Sequence, residues 1–202
     1  MPVVEMAFLP FGSKKSRIKK LIEDDRFDEV VSMALKDGKT IKALIELLDD
    51  PVPGVRGDAL VLIATVLKQE EGAIKPYLGE IFARAFELTE SRNPYVRENA
   101  MMLSYELTRR FPEELVRLKD SALKTLMEDL MEGDKHTKGF VLVLIGRLGK
   151  EAKAFLNDEE IKELRSHVEE FVNVEDRVIL PLEGYKWVPL GDIARETLEK
   201  LS

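Results

Sequence analysis

The side chains that could carry out chemistry are few in this chain of 202 residues, and their spacing is poor. The two histidines, His136 and His167, are 31 positions apart (167 − 136). A zinc-binding helix places its ligands three or four positions apart, and Glu170 is the only acid or histidine that follows a histidine at that spacing. We therefore expect no metal site, and we predict that both histidines are solvated surface residues.

Nucleophiles and phosphate-binding loops are also missing. The chain has no cysteine, which excludes disulfides, thiolate ligands and cysteine nucleophiles. It contains no GxxxxGK(S/T), GxGxxG or GxSxG motif. Adjacent acidic residues are frequent, and examples are Asp24 with Asp25, Asp49 with Asp50, and Glu159 with Glu160. Because neighbouring residues on a helix do not face each other, these pairs are expected to be surface charges. The sequence therefore predicts neither an enzyme nor a cofactor.

The elements that would position any functional residue repeat along the chain. A cation opens an apolar helix at Arg56, Arg97 and Lys138, at intervals of 41 residues (97 − 56 and 138 − 97). The aligned segments are VPGVRGDALVLIATVLK, NPYVRENAMMLSYELTR and DKHTKGFVLVLIGRLGK. Their equivalent apolar positions are Ala59, Ala100 and Val141, then Leu62, Leu103 and Leu144, then Val66, Leu107 and Leu148. A period of roughly 40 to 47 residues is typical of two-helix repeats, which stack into a solenoid because one repeat cannot bury its apolar face alone.

These observations predict an all-α solenoid of about four to five helical repeats, in a single domain over 1–202. The predicted divisions are an extended arm (1–13), a degenerate first helix pair (14–38), repeats over 39–69, 73–110 and 112–149, and a last repeat (158–202) with an insertion at 174–189. Thr40 is predicted to cap the helix that follows it. In the insertion, the alternation of Val178, Leu180 and Leu182 predicts a short hairpin or an ordered loop.

The repeated pattern resembles the HEAT repeat: an apolar helix, an acidic residue, a turn with proline, and Val-Arg before Ala-x-x-Leu-x-x-x-Leu. LLDDPVPGVRGDALVLIATVL and LTESRNPYVRENAMMLSYEL carry it best, whereas LMEGDKHTKGFVLVLIGRL matches only by phase. The resemblance covers roughly residues 40–202. It implies a HEAT-like α-α superhelix.

In HEAT proteins, the acid before the turn and the arginine after it form a ladder of hydrogen bonds between neighbouring repeats. The resemblance implies that this structural ladder consists here of Asp50, Arg56, Arg97, Glu132 and Lys138, and Ser91 weakens it where an acid would stand. The alternative is a row of cations that binds phosphate. That site would require cations without carboxylate partners.

HEAT proteins are most often scaffolds that hold a partner on a concave surface lined by the second helix of each repeat. The resemblance thus implies a non-catalytic protein-binding scaffold or adaptor, whose partner lies against the polar faces of 55–68, 96–110 and 137–149. Residues of exposed type on these helices are Asn99, Glu106, Arg109, Arg110 and Arg147. The alternative is a nucleic-acid-binding or DNA-repair-associated protein with one continuous cationic stripe, which the net charge of −7 disfavours.

Two other segments are candidate contacts. One is a basic patch of Lys14, Lys15, Arg17, Lys19 and Lys20, which gives residues 1–20 a charge of +4 (5 − 1) and leaves −11 (−7 − 4) on the rest. It could meet an anionic partner, or it could be a solvated helix whose arm caps the solenoid. The other is Tyr185, Lys186 and Trp187 in the insertion, which could form a binding hot spot or anchor the loop. The arm or the insertion could also form a homodimer interface.

Composition limits the setting of the protein. Charged residues make up 34% and apolar residues 45%, as in soluble globular proteins. Apolar runs such as FVLVLIG are shorter than the roughly 20 residues of a membrane span, and no secretion signal is visible. We therefore expect a cytoplasmic protein that does not contact the membrane. Gln69 is the only glutamine and lysine and glutamate abound, a bias that predicts a thermophilic prokaryote or archaeon.

Overall fold

The computed structural model describes residues 12–117 and 122–202, and the described residues are mostly α-helical. The helices are α1 (Lys14–Glu23), α2 (Phe27–Ala34), α3 (Gly38–Leu47), α4 (Pro53–Gln69), α5 (Glu71–Ile74), α6 (Leu78–Leu88), α7 (Pro94–Arg110), α8 (Pro112–Arg117), α9 (Ala122–Glu132), α10 (Lys135–Leu148), α11 (Ala152–Phe155), α12 (Asp158–Glu169) and α13 (Leu190–Lys200). The strands are β1 (Arg177–Ile179) and β2 (Lys186–Pro189). Residues 1–11 of the predicted arm lie outside the described residues.

The long helices pack in the order of the chain. Helices α4, α7, α10 and α13 form one row, in which each contacts the next, and we call them the second helices. Helices α3, α6 and α9 form a parallel row of first helices, and α1 packs against α3. This arrangement confirms the predicted all-α repeat superhelix. Among the described residues no helix is both long and apolar enough to cross a membrane.

The core follows the predicted register of 41 residues. The equivalent residues Ala59, Ala100 and Val141 are all buried, and so are the leucines that follow each of them by three positions. One apolar cluster runs from α1 to α13, because each helix pair leaves an apolar face that only its neighbour can cover.

Helix starts are set by prolines and capping side chains. Pro53 and Pro94 stand at the first turns of α4 and α7, where the missing N–H has no intrahelical partner to lose. At α10, which has no proline, the carboxylate of Asp134 accepts from the N–H groups of His136 and Thr137. The prediction that Thr40 caps α3 is wrong. Asp37 is the cap and accepts from Lys39 N at 2.9 Å, because the helix begins earlier, at Gly38.

The predicted insertion forms the hairpin of β1 and β2. The strands are antiparallel, with Arg177 opposite Pro189, Val178 opposite Val188 and Ile179 opposite Lys186, and a bulge interrupts the register after Val178. Helix α13 and the hairpin pack against α10. The approach is close at Gly139, where a Cβ would lie 3.1 Å from Val178 and 3.2 Å from Leu190 and these side chains would have to shift.

Candidate protein-binding surface

Two exposed apolar residues occupy equivalent positions on neighbouring second helices. Val61 on α4 and Met102 on α7 are 41 residues apart (102 − 61), and they are 40% and 41% exposed. The next equivalent residue, Val143 on α10, is buried at 5%. The difference arises because α13 and the hairpin cover α10. The predicted open polar face over 137–149 is therefore wrong except at its end, where Arg147 is exposed.

The hairpin carries the most exposed large apolar side chain among the described residues. Trp187 is 64% exposed, and Ile179 on the opposite strand is 42% exposed. The backbone of Trp187 lies in the left-handed region, with φ of 56°, and Arg177 Nη1 donates to its carbonyl oxygen at 2.7 Å. A bulky residue rarely adopts this conformation, and such strain is found most often at functional sites. The indole is thus held out from the protein rather than used to anchor the loop.

Tyr185 has the opposite role in the hairpin. It is half-buried against the core, and its hydroxyl lies 3.5 Å from Glu196 Oε1 on α13. Burial raises its pKa to about 12, and the charges of Glu196 and the nearby Tyr105 add to the increase. Of the three predicted hot-spot residues, Tyr185 therefore anchors the hairpin, whereas Lys186 and Trp187 are exposed.

A cleft of about 490 Å³ lies beside the base of the hairpin. Val172, Asn173, Val174 and Pro189 form part of its wall, with the charged residues Glu175, Arg177, Asp192 and Arg195. Arg195 donates to the carbonyl oxygen of Val172 and pairs with Asp192. The cleft therefore has both signs of charge, and Arg177 connects it to Trp187.

The predicted contact residues on α7 form a charged network. Glu106 accepts from Arg109 at 2.7 Å and from Arg110 at 3.4 Å, and Arg110 also pairs with Glu71 at 3.3 Å. Burial opposes the ionisation of Glu106, but the two arginines hold its pKa below the ordinary value. These arginines are engaged with carboxylates, which is unfavourable for a phosphate-binding stripe.

Asn99 was predicted to be an exposed contact residue, and this is wrong. It is 8% exposed, and its Nδ2 donates to the carbonyl oxygen of Tyr95 one turn earlier. Tyr95 is the exposed residue instead, at 45%. Its ring lies over Gly57 of the preceding repeat, and its hydroxyl donates to Asp58 Oδ1 at 2.7 Å.

The residues of the predicted ladder do make contacts, but with different partners. The carboxylate of Asp50 binds Lys19 and not Arg56; Arg56 Nη1 donates to the carbonyl oxygen of Asp50 at 2.7 Å. Arg97 lies 3.7 Å from Asp134 of the next repeat, so Asp134 takes the place that the prediction assigned to Glu132. Lys138 Nζ donates to Met131 O at 3.0 Å and lies over the Phe171 ring. Glu132 is exposed.

The predicted basic patch is partly neutralised within the chain. Lys14 pairs with Asp37 at 2.9 Å, and Lys19 pairs with Asp50. Arg17 and Lys20 are exposed, and Lys15 is half-buried. Two of the five cations of the patch therefore form ion pairs within the chain. This favours the alternative of a helix with a structural role over an anion-binding site.

The histidines are less solvated than predicted. The side chain of His136 is 33% exposed and lies 3.9 Å from Asp134. The side chain of His167 is 30% exposed, and its Nδ1 lies 3.5 Å from Glu170 without hydrogen-bond geometry. Within 12–117 and 122–202, no three potential ligands are grouped so that they could hold a metal ion.

Sequence reasoning missed two features that the register of 41 residues could have revealed. Val61 and Met102 fall at one position, and an apolar residue there faces solvent. Asp129 falls where the two preceding repeats have Leu47 and Leu88 (47 + 41 and 88 + 41). An acid at a leucine position indicates either a buried charge or a break in the repeat.

Known proteins resemble this chain in structure and not in sequence. No family profile matches the chain, and no curated protein matches it. A designed armadillo repeat protein in complex with the peptide (KR)4 matches with a TM-score of 0.54 over 93% of this chain and 87% of that chain, at 16% identity. The chain is a helical-repeat solenoid. A second designed armadillo repeat protein matches this solenoid with a TM-score of 0.52, at 19% identity over the same shares of each chain. At such identities the likeness establishes the fold, and the HEAT type of the repeat stays a prediction.

Proposed function

We propose that this solenoid is a non-catalytic scaffold that binds a protein segment against the hairpin and the adjoining second helices. The observation that carries the proposal is the exposure of Trp187, at 64%, in a strained backbone conformation. Tryptophan is enriched at binding hot spots. Trp187 is the extra residue of the bulge, which accounts for its left-handed backbone, and its exposed indole contributes little to packing within the chain.

The proposed surface extends from the hairpin to the exposed apolar residues of α7 and α4. Ile179, Met102 and Val61 are also exposed apolar side chains, and we assign them to the same surface. A rigid array of this kind loses little conformational entropy when it binds an extended segment. The designed armadillo repeat protein that binds the peptide (KR)4 supports this use of a similar fold.

The experiment is quantitative affinity capture from the lysate of the native organism with nuclease-treated samples. Three baits are compared: the natural chain, Trp187→Ala, and Val52→Ala as a control. Val52 is 46% exposed and lies at the start of α4, so its replacement removes a similar exposed apolar group elsewhere. We expect a stoichiometric protein that the natural chain and the control retain and that Trp187→Ala loses. Equal recovery by all three baits contradicts the proposed surface.

The predicted alternative, a nucleic-acid-binding protein, is disfavoured by the ion pairs. A cationic stripe on the second helices would require Arg56, Arg97, Arg109, Arg110 and Arg147. Arg97, Arg109 and Arg110 each lie within 4 Å of a carboxylate, and Arg56 donates to the carbonyl oxygen of Asp50. Among the described residues, Arg147 is exposed and has no ion pair. Nucleic acid recovered alone, and lost steeply as salt rises, would support this alternative. Light scattering on the purified protein tests the other alternative, a homodimer, because it measures the mass directly.

A further inference from the structure

The cleft beside the base of the hairpin has walls that are fixed by backbone contacts. One wall is the segment that joins α12 to β1, and the other is the start of α13. Leu190 N donates to Asp176 O at 2.8 Å, and Gly191 N donates to Val174 O at 2.9 Å. A Cβ on Gly191 would lie 2.6 Å from the carbonyl oxygen of Val172, so the two walls approach as closely as a glycine allows. A ligand would therefore enter a cleft that is already ordered.

Two of the four charged residues of the cleft belong to its construction. Arg195 pairs with Asp192, and it also donates to the carbonyl oxygen of Val172 on the opposite wall. The charges of Arg195 and Asp192 therefore neutralise each other, and the guanidinium connects the two walls.

The other two charged residues have no ionic partner. Arg177 is exposed, and its Nη1 donates to Trp187 O at 2.7 Å. An arginine has five N–H donors, so most of those of Arg177 stay available. Glu175 is exposed as well, and both residues line the cleft. Neither has an oppositely charged side chain within 4 Å in the part of the chain that the structure describes.

These two unpaired charges are of opposite sign and lie two positions apart. The carbonyl oxygens of Val174 and Asp176 both accept from the start of α13, as alternate residues of an extended chain do. In an extended chain, residues two apart share one face at a separation of about 7 Å. The side chains of Glu175 and Arg177 therefore match the spacing of alternate side chains in an extended ligand.

We propose that the cleft binds an extended segment of a partner polypeptide that carries an acidic and a basic side chain two positions apart. The acid pairs with Arg177 and the base pairs with Glu175. The reversed order of charges places like charges opposite each other at both positions, which is unfavourable. The cleft volume of about 490 Å³ lies within the range of about 300–1,000 Å³ of ligand sites. A free inorganic anion fits less well, because it meets the charge of Glu175.

This inference rests on the proposed function, since it specifies the chemistry of the segment that lies against Trp187. Arg177 and Ile179 are both exposed on β1, whereas Val178 between them is buried, so Arg177 and Ile179 share the outward face of the strand. Arg177 also contacts the carbonyl oxygen of Trp187. One extended segment can therefore place its charged pair in the cleft and an apolar side chain against the indole.

The test uses the full chain and three blocked heptapeptides as probes. The peptides share a background of serine with one leucine, and they differ only at two positions that are two apart. These positions hold glutamate then lysine, lysine then glutamate, or glutamate twice. Calorimetry measures the affinities at low salt, because salt screens exposed charges.

The proteins compared are the natural chain, Glu175→Lys and Glu163→Lys. Glu175→Lys leaves Arg177 and its contact with Trp187 in place. Glu163 is an exposed acid on α12, so its replacement changes the net charge equally outside the cleft.

We expect the natural chain to bind one of the two mixed peptides more tightly than the other two peptides, by about fivefold or more. Glu175→Lys should instead bind the peptide with two glutamates most tightly, and Glu163→Lys should keep the preference of the natural chain. The inference is overturned if no peptide binds the natural chain, if both mixed peptides bind equally, or if Glu175→Lys keeps the natural preference.

Trp187→Ala separates this inference from the proposed function. If Trp187→Ala keeps both the preference and the affinity of the natural chain, the cleft site stands and the assignment of Trp187 to the same surface is wrong. If the natural chain shows no preference among the peptides while Trp187→Ala still loses its partner in affinity capture, the proposed function stands and the cleft site is wrong.

Discussion

Lys19 on α1 donates to both carboxylate oxygens of Asp50, at 3.0 and 2.9 Å, and so connects the first helix pair to the end of α3. The same carboxylate accepts from Val52 N at 3.0 Å, and the carbonyl oxygen of Asp50 accepts from Arg56. One aspartate thus joins α1, the turn and α4. This contact adds to the burial of Ile18, Leu21 and Ile22, which packs α1 against the core.

Replacement of Lys19 by methionine tests that connection. The change keeps the aliphatic stem and leaves Asp50 buried without its cation, so we expect the free energy of unfolding to fall by about 1–3 kcal/mol. Urea denaturation followed by circular dichroism measures it. Lys20→Met is the control, because Lys20 is exposed, and a change within about 0.5 kcal/mol is expected there. Equal losses in both variants would mean that the ion pair contributes little.

The pH dependence of stability should have two opposing parts. The pKa values of Asp50 and Asp134 are lowered in the folded state from the ordinary value of 3.8. Their ionised carboxylates therefore stabilise the folded state above pH 3.8, and this stabilisation is lost as the pH falls below 3.8. The pKa of Asp129 is raised from 3.8 to about 6, so the folded state binds its proton more tightly and stability rises as the pH falls through 6. We therefore expect a maximum between pH 4 and pH 6.

Asp129→Leu should remove the contribution of Asp129 to the pH dependence of stability, and it places a leucine where the two preceding repeats have one. Its stability at pH 7 should exceed that of the natural chain by about 1–3 kcal/mol, and the slope between pH 4 and pH 6 should flatten. Urea denaturation at a series of pH values measures both quantities. Glu163→Leu, at an exposed site, should leave the slope unchanged. A steep slope that persists in Asp129→Leu would assign the effect to another group.

Two glycines of α4 should respond differently to alanine. A Cβ on Gly54 meets nothing within 4 Å, whereas one on Gly57 would lie 2.2 Å from the ring of Tyr95. Gly54→Ala should stabilise the protein by about 0.5–1 kcal/mol through helix propensity. Gly57→Ala must displace Tyr95 and break its bond to Asp58, so its stability should be lower than that of Gly54→Ala by about 1 kcal/mol. Thermal unfolding of the two variants gives the comparison, and equal stability would show that Tyr95 moves without cost.

The strained backbone of Trp187 predicts an unusual order of substitutions. Glycine adopts positive φ without strain, whereas a β-branched residue does so poorly. Since the indole is mostly exposed, we expect Trp187→Gly to be at least as stable as the natural chain. We expect Trp187→Val to be less stable by about 1–2 kcal/mol. Chemical denaturation of both variants is the measurement, and valine at least as stable as glycine would be evidence against a left-handed conformation.

The order of helices and the core could be predicted from the sequence because both depend on local periodicity. The register of 41 residues placed Ala59, Ala100 and Val141 at one buried position, and prolines marked the starts of α4 and α7. Alternation of apolar residues predicted a short hairpin or an ordered loop in the insertion, and the structure has the hairpin. In each case the pattern is local, because the period of a helix or a strand determines which of its own residues lie on the apolar face.

The site depended on contacts between distant residues, and these only the tertiary structure decided. Asp50 binds Lys19, 31 positions away, because the packing of α1 on α3 brings them together. Asn99 is buried, and most of α10 is covered by a last repeat whose position no local pattern specifies. Whether Trp187 anchors the hairpin or projects from it depends on one backbone angle at a bulge. Local spacing thus determined which helices form, and packing determined which of their side chains reach solvent or a partner.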